Sequence, residues 1–305
     1  MAAFDTKSWA NPPARTFTKP DRPLVWFITG CSSGLGLSLV RIAQSHGHTV
    51  IATSRNPART PDLVAEVEGK GGKWLKLDID DPQSGKVIDD LEAQGTHVDI
   101  LVNNAGWSVH NSAEQVTEDE ARAQIETLYL APYRLMRAVT PYMRKRRYGV
   151  IVNISSGAGL EGRETMAAYA AGKAALDGVT KVFAKEVADF NVRALYVTLG
   201  GFNTNMPNAL VMGSIPLDAD YENTMVGMMT RGLGSGNFKP DGDKQKAAKA
   251  IYEVVVGEGV GKGREAERVL PLGRDVAARI KSIAEQWQNT MEAFGEVCNN
   301  VYAEK

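Results

Sequence analysis

The run LVWFIT at residues 24–29 leads directly into Gly30-x-x-x-Gly34-x-Gly36, followed by the periodic apolar stretch LSLVRIA at 37–43. So short an apolar run reads as a strand buried on both faces, and the periodic stretch reads as a helix. Glycine permits positive φ and close backbone approach in the turn between them, while a helix N-terminus attracts phosphate. Strand, glycine loop and helix in this order point to a dinucleotide-binding unit built on a parallel sheet. The expected ligand contacts in the loop are Gly30, Ser32, Ser33, Gly34, Leu35 and Gly36.

The rest of the chain keeps that alternation. Strands are expected at 49–54, 73–77, 98–102, 149–154 and 192–198, with helices near 62–68, 82–93, 166–190 and 244–256. A long helical region at 117–147 should be interrupted by Pro132 and Pro141. Residues 268–273 read as an edge strand and turn. Beyond them Val276, Ile280, Ile283, Trp287, Met291 and Phe294 recur at three- and four-residue steps, giving an amphipathic helix that should pack on its own domain or across a subunit interface. The pattern predicts an α/β fold: a Rossmann-like doubly wound parallel sheet in a three-layer α/β/α sandwich. Residues 1–22, with Pro12, Pro13 and Pro20, read as an N-terminal arm, disordered or lying on the surface, ahead of one domain over 23–305. The glycine-rich stretch 232–236 reads as a hinge or mobile loop.

Composition removes several function classes. The formal net charge is −1 and there is no basic block, so nothing favours nucleic acid. The densest positive run, RKRR at 144–147, falls at a helix C-terminus, where cations suit the dipole. No apolar run approaches the ~18 residues a membrane span requires. Two cysteines, Cys31 and Cys298, offer neither a disulfide framework nor metal-ligand spacing, so a reducing, cytoplasmic setting is expected.

Three further features carry chemistry. The second strand ends at Ser54-Arg55, where an acid would ordinarily face a ribose 2′-hydroxyl; a guanidinium there suits a 2′-phosphate and favours NADP(H) over NAD(H). Asp78 follows the third strand and could accept from an adenine amine or cap the next turn. Tyr169 and Lys173 are four residues apart and share a helix face, and Ser156 lies 13 residues before Tyr169. A phenol beside an ammonium can give a proton to a developing alkoxide, and a hydroxyl can bond the same oxygen. Lys173 is expected to lower the phenol's pKa.

With these residues in order, the chain resembles the short-chain dehydrogenase/reductase family: TGCSSGLG at 29–36, LDID at 77–80, NNAG at 103–106, NISS at 153–156 and YAAGK at 169–173. The resemblance covers about residues 23–205 and implies a nicotinamide cofactor, hydride transfer between a carbonyl and an alcohol, and Ser156, Tyr169 and Lys173 as the catalytic set. It further implies that Asn104, Ala105, Gly106 and Thr204 line the cofactor and that dimers or tetramers form. The RVLPLGRD turn at 268–275 and the tail after it are similar to longer fungal members acting on lipids or secondary metabolites.

Two positions depart from the family pattern. Leu128 stands where the family has an Asn at a helix irregularity that feeds protons to the Lys through a water. Pro132 has no N–H for the carbonyl of Leu128, so that carbonyl is expected to hold the water instead, with activity reduced and not abolished. Leu199-Gly200 replaces the usual Pro-Gly, which should loosen that turn. The family covers its substrate with the segment matching 205–236, which here carries Met206, Met212, Met225, Met228 and Met229. Together with Trp107, Leu160, Met166 and Phe202 they predict a bulky apolar or aromatic ligand. The expected activity is therefore NADP(H)-dependent reduction of a hydrophobic ketone or aldehyde. An isomerase, dehydratase or cyclase of the same fold, or a cofactor-sensing binding protein, are the alternatives.

Overall fold

The computed structural model describes residues 17–204, 210–235 and 240–303. Seven parallel strands form the main sheet: β1 (Val25–Ile28), β2 (Thr49–Ser54), β3 (Lys73–Lys76), β4 (Ile100–Asn103), β6 (Gly149–Ser156), β7 (Val192–Leu199) and β9 (Val269–Leu272). Their spatial order is β3-β2-β1-β4-β6-β7-β9. The chain thus winds outward from β1 in one direction and then from β4 in the other. The strand order switches between β1 and β4, where the strand ends part to leave a crevice.

Helices α1 (Gly34–Ser45), α2 (Pro61–Glu68) and α8 (Lys244–Val256) cover one face of the sheet; α3 (Lys86–Ala93), α5 (Ala131–Arg146) and α6 (Ala167–Glu186) cover the other. Each strand feeds both layers by alternation. Trp26 and Ile28 of β1 enter the first core and Phe27 the second, all with no exposed surface. The Rossmann-like three-layer architecture read from the sequence is the one observed.

Pro141 does not interrupt its helix. It lies inside α5, exposed, as is Arg137 one turn back. The carbonyl that loses its partner therefore faces water, and the helix continues. The break falls instead between α4 (Glu118–Ile125) and α5, where Glu126–Leu130 form a π-turn. There the Ala131 N–H reaches the carbonyl of Glu126. Pro132 follows immediately and cannot continue the ordinary ladder.

A second sheet, absent from the sequence reading, pairs β5 (Ser108–His110) with β8 (Leu210–Met212). Of the glycine-rich stretch read as a hinge, Gly232 and Gly234 form the last turn of α7 (Met225–Gly234), and Gly236 lies outside the described residues; Thr224 caps the start of α7 and the Ser235 N–H closes on Arg231. The arm is pinned from Phe17 onward. Thr18 bonds Asn191, Lys19 pairs with Glu258, and Arg22 grips Asp99 through two hydrogen bonds of 2.7 and 2.9 Å. Helix α9 (Arg274–Asn299) closes the chain and buries only Val276.

Candidate active site

The glycine loop closes over the crevice between β1 and β4. Gly30 has φ +71°, and a Cβ there would stand 2.8 Å from the Cα of Ala105. At Gly36 a Cβ would come within 2.5 Å of the Gly30 carbonyl oxygen and 2.6 Å of Asn104 Nδ2. Backbone approach this tight leaves a shallow cradle at the start of α1. That helix has no acid in its first turn, and the hydroxyl of its N-cap Ser33 makes no capping bond. Free N–H groups, a free hydroxyl and no nearby carboxylate fit a pyrophosphate.

The NNAG turn fastens this loop from the other side. Asn104 Nδ2 donates to the carbonyls of Thr29 (2.9 Å) and Gly30 (3.2 Å). The N–H groups of Asn104 and Ala105 both donate to Thr29 Oγ1. Asn104 thus shapes the cradle with its side chain. Gly106 lies against Leu128 and Lys173. Cys31, within the loop, is fully buried and its thiol donates to the Ile28 carbonyl; burial pushes it up to about 12, which leaves it inert.

Arg55 is exposed just past β2 and joins no ion pair among the described residues. The Ser54 hydroxyl accepts from the Trp74 indole at 3.0 Å. Asp78 accepts from the Asp80 N–H at 3.2 Å, the turn cap that the sequence allowed as one of its two roles.

Across the crevice, β6 delivers Ser156 and α6 delivers Tyr169 and Lys173. Tyr169 and Lys173 are nearly buried, at 8% and 5% exposure. Ser156 acts on the Tyr169 hydroxyl to favour the phenolate, yet burial outweighs it and raises the phenol's pKa. The expected lowering by Lys173 is not observed. The ammonium lies over the ring, 5.8 Å from its centroid, and donates to the Ile154 carbonyl at 2.6 Å. Burial brings Lys173 itself down to about 8.

Leu128, on the π-turn, packs against Ala158 and Tyr169, with Met166 beside them. Gly172 makes this possible, since a Cβ there would stand 3.0 Å from Leu128 Cβ. Leu128 is therefore an apolar wall behind the phenol.

The residues expected to line a substrate pocket scatter. Met166 joins the Tyr169 cluster, and half-buried Leu160 ends the turn after β6. The Trp107 indole donates to Thr127 Oγ1 at 2.9 Å, and Thr127 in turn donates to Asp80. Phe202 packs on the opposite core, beside α1 and α8, and bridges to Gly242. Met206 lies outside the described residues. Thr204 N–H turns back onto the Phe202 carbonyl at 2.8 Å.

Two supports were missed in the sequence. The first turns of α9 brace the active-site loops. Asp275 accepts from the Gly201 N–H and fills the space at Gly200 that a Cβ would take, and Arg279 pairs with Asp275 and Glu161. The RVLPLGRD match was the available signal, but nothing in it said which loop Asp275 would meet. The second is His110, 1% exposed, bonded to Ser108 and to Thr165, whose φ is +67°. Burial lowers its pKa to about 4, so it is neutral near pH 7.

The family model described as short chain dehydrogenase matches residues 24–213. The chain belongs to this family. Among the relatives of the short-chain dehydrogenase, the oxidoreductase claN of Passalora fulva is 37% identical over 186 residues, covering 60% of this chain and 84% of its own. The 3-oxoacyl-acyl-carrier-protein reductase FabG of Salmonella typhimurium is 38% identical over 186 residues, covering 60% and 75%. A short-chain dehydrogenase structure from Streptomyces avermitilis superposes with a TM-score of 0.82 at 32% identity, covering 93% of this chain and 100% of that one. The longer match takes in the region beyond 213 as well. No helix of the described residues is long and apolar enough to cross a membrane.

Proposed function

We propose that this short-chain dehydrogenase is an NADP(H)-dependent oxidoreductase that reduces a carbonyl, or oxidises the corresponding alcohol, on a bulky hydrophobic substrate. One observation carries the reading: half-buried Ser156 meets the buried Tyr169 and Lys173 opposite a cradle fit for a pyrophosphate. When bound, the nicotinamide cofactor supplies or accepts the hydride. Gly30, Ser32, Ser33, Gly34, Leu35 and Gly36 would hold its phosphates, Asp78 and the turn 104–106 its adenine end and ring side, and Thr204 its amide or pyrophosphate. The residues of the chain do the rest. Tyr169 gives its proton to the substrate oxygen, Ser156 bonds that oxygen, and Lys173 holds positive charge beside the phenol.

In the apolar wall of Leu128, Ala158 and Met166 at the phenol, half-buried Met166 is the part open to a ligand, and it supports a hydrophobic substrate. The relative FabG is named for a 3-oxoacyl substrate, a ketone on an aliphatic chain, which is the substrate class this wall suits. Cytoplasmic homodimers or homotetramers complete the reading. Assembly would cover side chains such as Trp287 and Phe294, 65% and 62% exposed on α9. Purified protein with NADPH and a panel of lipophilic ketones tests the activity by loss of nicotinamide absorbance. Product without net NADPH loss would replace oxidoreduction with isomerisation or dehydration.

Arg55 carries the cofactor preference. With no acid at the end of β2 and an exposed guanidinium beyond it, Arg55→Ala should cost NADPH about tenfold or more in affinity, the loss of one charge-assisted contact of about 1.5–3 kcal/mol. NADH binding should change little. Fluorescence titration of both cofactors reads the ratio, and an equal loss for the two would remove the 2′-phosphate role.

The carbonyl of Leu128 is proposed to serve the proton relay in place of the family's Asn. Leu128→Asn should raise turnover, yet lower stability by about 1–3 kcal/mol, because the amide enters an apolar contact with Ala158 and Tyr169. Thermal unfolding and kcat separate the two effects. Unchanged turnover would count against the relay.

A further inference from the structure

Along α6 the residues Tyr169, Lys173, Asp177 and Lys181 recur at steps of four. This spacing stacks them turn above turn on one side of the helix. The first two belong to the catalytic set. Lys181 is exposed, its ammonium 5.5 Å from the Tyr196 ring centroid. Asp177, between the two lysines, is 3% exposed, and neither carboxylate oxygen has a hydrogen-bond partner among the described residues.

An uncompensated buried carboxylate is costly, and such groups are normally paired or hydrogen-bonded. The surroundings of Asp177 are polar without being closed. Asn153 of β6 donates to Thr180 of α6 at 2.7 Å, so this face of β6 looks onto the helix. Two residues on, Ser155 shares that face and acts on the carboxylate, though its hydroxyl forms no full hydrogen bond. Thr198 is paired with Ser155 across β6 and β7; it too is fully buried with its hydroxyl unpartnered. Tyr196 of β7 feels the same charge. The charges acting on the carboxylate are those of Lys173 and Lys181.

We propose that Asp177 is the interior proton station of this site, a positioning residue that keeps Lys173 charged and carries protons between it and solvent at Lys181. The inference rests on the carbonyl-reduction reading only for the direction of flow. When Tyr169 has given its proton away, the Lys173 ammonium restores it. The Asp177 carboxylate then takes a proton from water at the Lys181 end and passes it to the neutral amine, becoming the anion again. One proton enters per turnover and every group returns to its starting state. Burial brings the proton affinities of the two groups towards each other, with Lys173 down to about 8 and Asp177 up to about 6. The route bypasses the π-turn and needs no amide at position 128.

The test follows Lys173 directly, by NMR of protein labelled with carbon-13 at the lysine ε position, the resonance assigned with Lys173→Met. In Asp177→Asn the Lys173 titration should move down by roughly one unit or more, since the neighbouring anion is gone. The alkaline fall of kcat should move with it, a loss of about fivefold at pH 8 for a shift of one unit. NADPH affinity should stay within about twofold, because no contact to the cradle changes. Lys181→Met, at an exposed position, should fold normally and move Lys173 in the same direction by less, because Asp177 then holds its proton to higher pH. It decides the matter should Asp177→Asn fail to fold. An unmoved Lys173 titration in both variants overturns the proposal, and so does a turnover loss with an unshifted pH profile, which marks Asp177 as structural. A wild-type protein that turns over no carbonyl while Lys173 still shifts removes the reduction reading and leaves the Asp177 coupling standing.

Discussion

Tyr169→Phe should lower turnover by about a hundred- to ten-thousandfold, the range over which a positioned proton donor contributes. NADPH affinity should hardly change. The substitution removes one oxygen, on which Ser156 acts, and keeps the ring that packs against Leu128 and Met166. Stability should stay close to wild type for the same reason, since both the hydroxyl and its partner lie at the crevice. A steady-state assay with NADPH, paired with a binding titration, separates the effects. Equal turnover in the two proteins would dismiss Tyr169 as the acid.

The pH dependence follows from Lys173. Its ammonium is charged below about 8 and neutral above, so reduction should decline as pH rises through that value. Stability responds in the opposite sense. Between about 8 and the ordinary lysine value the unfolded chain binds the proton and the folded one does not, so stability rises with pH across that window. A profile of kcat against pH that falls while the thermal midpoint climbs would identify a buried lysine as the titrating group.

The candidate site was legible because each part is local. The Tyr169–Lys173 pair is a helical spacing, the glycine loop is a strand–turn–helix pattern, and the alternation of apolar runs fixes a parallel sheet. The π-turn was partly legible, since Pro132 removes a donor at a known position. What escaped depends on meetings between distant segments. Phe202 lies close to Thr204 in sequence, but its ring turns to the core beside α8, because Gly242 leaves room there. The pairing of β5 with β8 joins residues about a hundred apart, and neither strand is long enough to show alternation. The glycines at 232–234 look like a hinge by composition, yet a capped helix already running through Met228 and Met229 carries them along. Asp275 could be read as a helix N-terminal acid and nothing more. Its contact with Gly200–Gly201 exists only because β9 lies beside β7. Here Leu199 in place of a proline was expected to loosen the turn. The structure adds a clamp from α9 at that same turn.

A large structural effect should come from Gly36→Ala. Many glycines in this chain have open space where a Cβ would go, and at Gly200 the obstacle is a side chain that can swing away. At Gly36 the added carbon meets the backbone carbonyl of Gly30 at 2.5 Å and the Asn104 amide at 2.6 Å. The carbonyl cannot rotate out of the way without opening the turn. The amide is held by its bonds to Thr29 and Gly30. Relief therefore requires α1 to lift from β1, which disturbs Leu35, Leu39 and Val40 in the first core. Overpacking of this kind costs about 1–3 kcal/mol. The same displacement widens the cradle at the helix N-terminus, so cofactor affinity should fall along with stability. Thermal melts with and without NADPH measure both. The wild type should gain stability on adding the cofactor and Gly36→Ala should gain much less, since ligand stabilisation scales with the logarithm of occupancy. A variant melting as wild type in both conditions would show that α1 and the loop have more freedom than their packing implies.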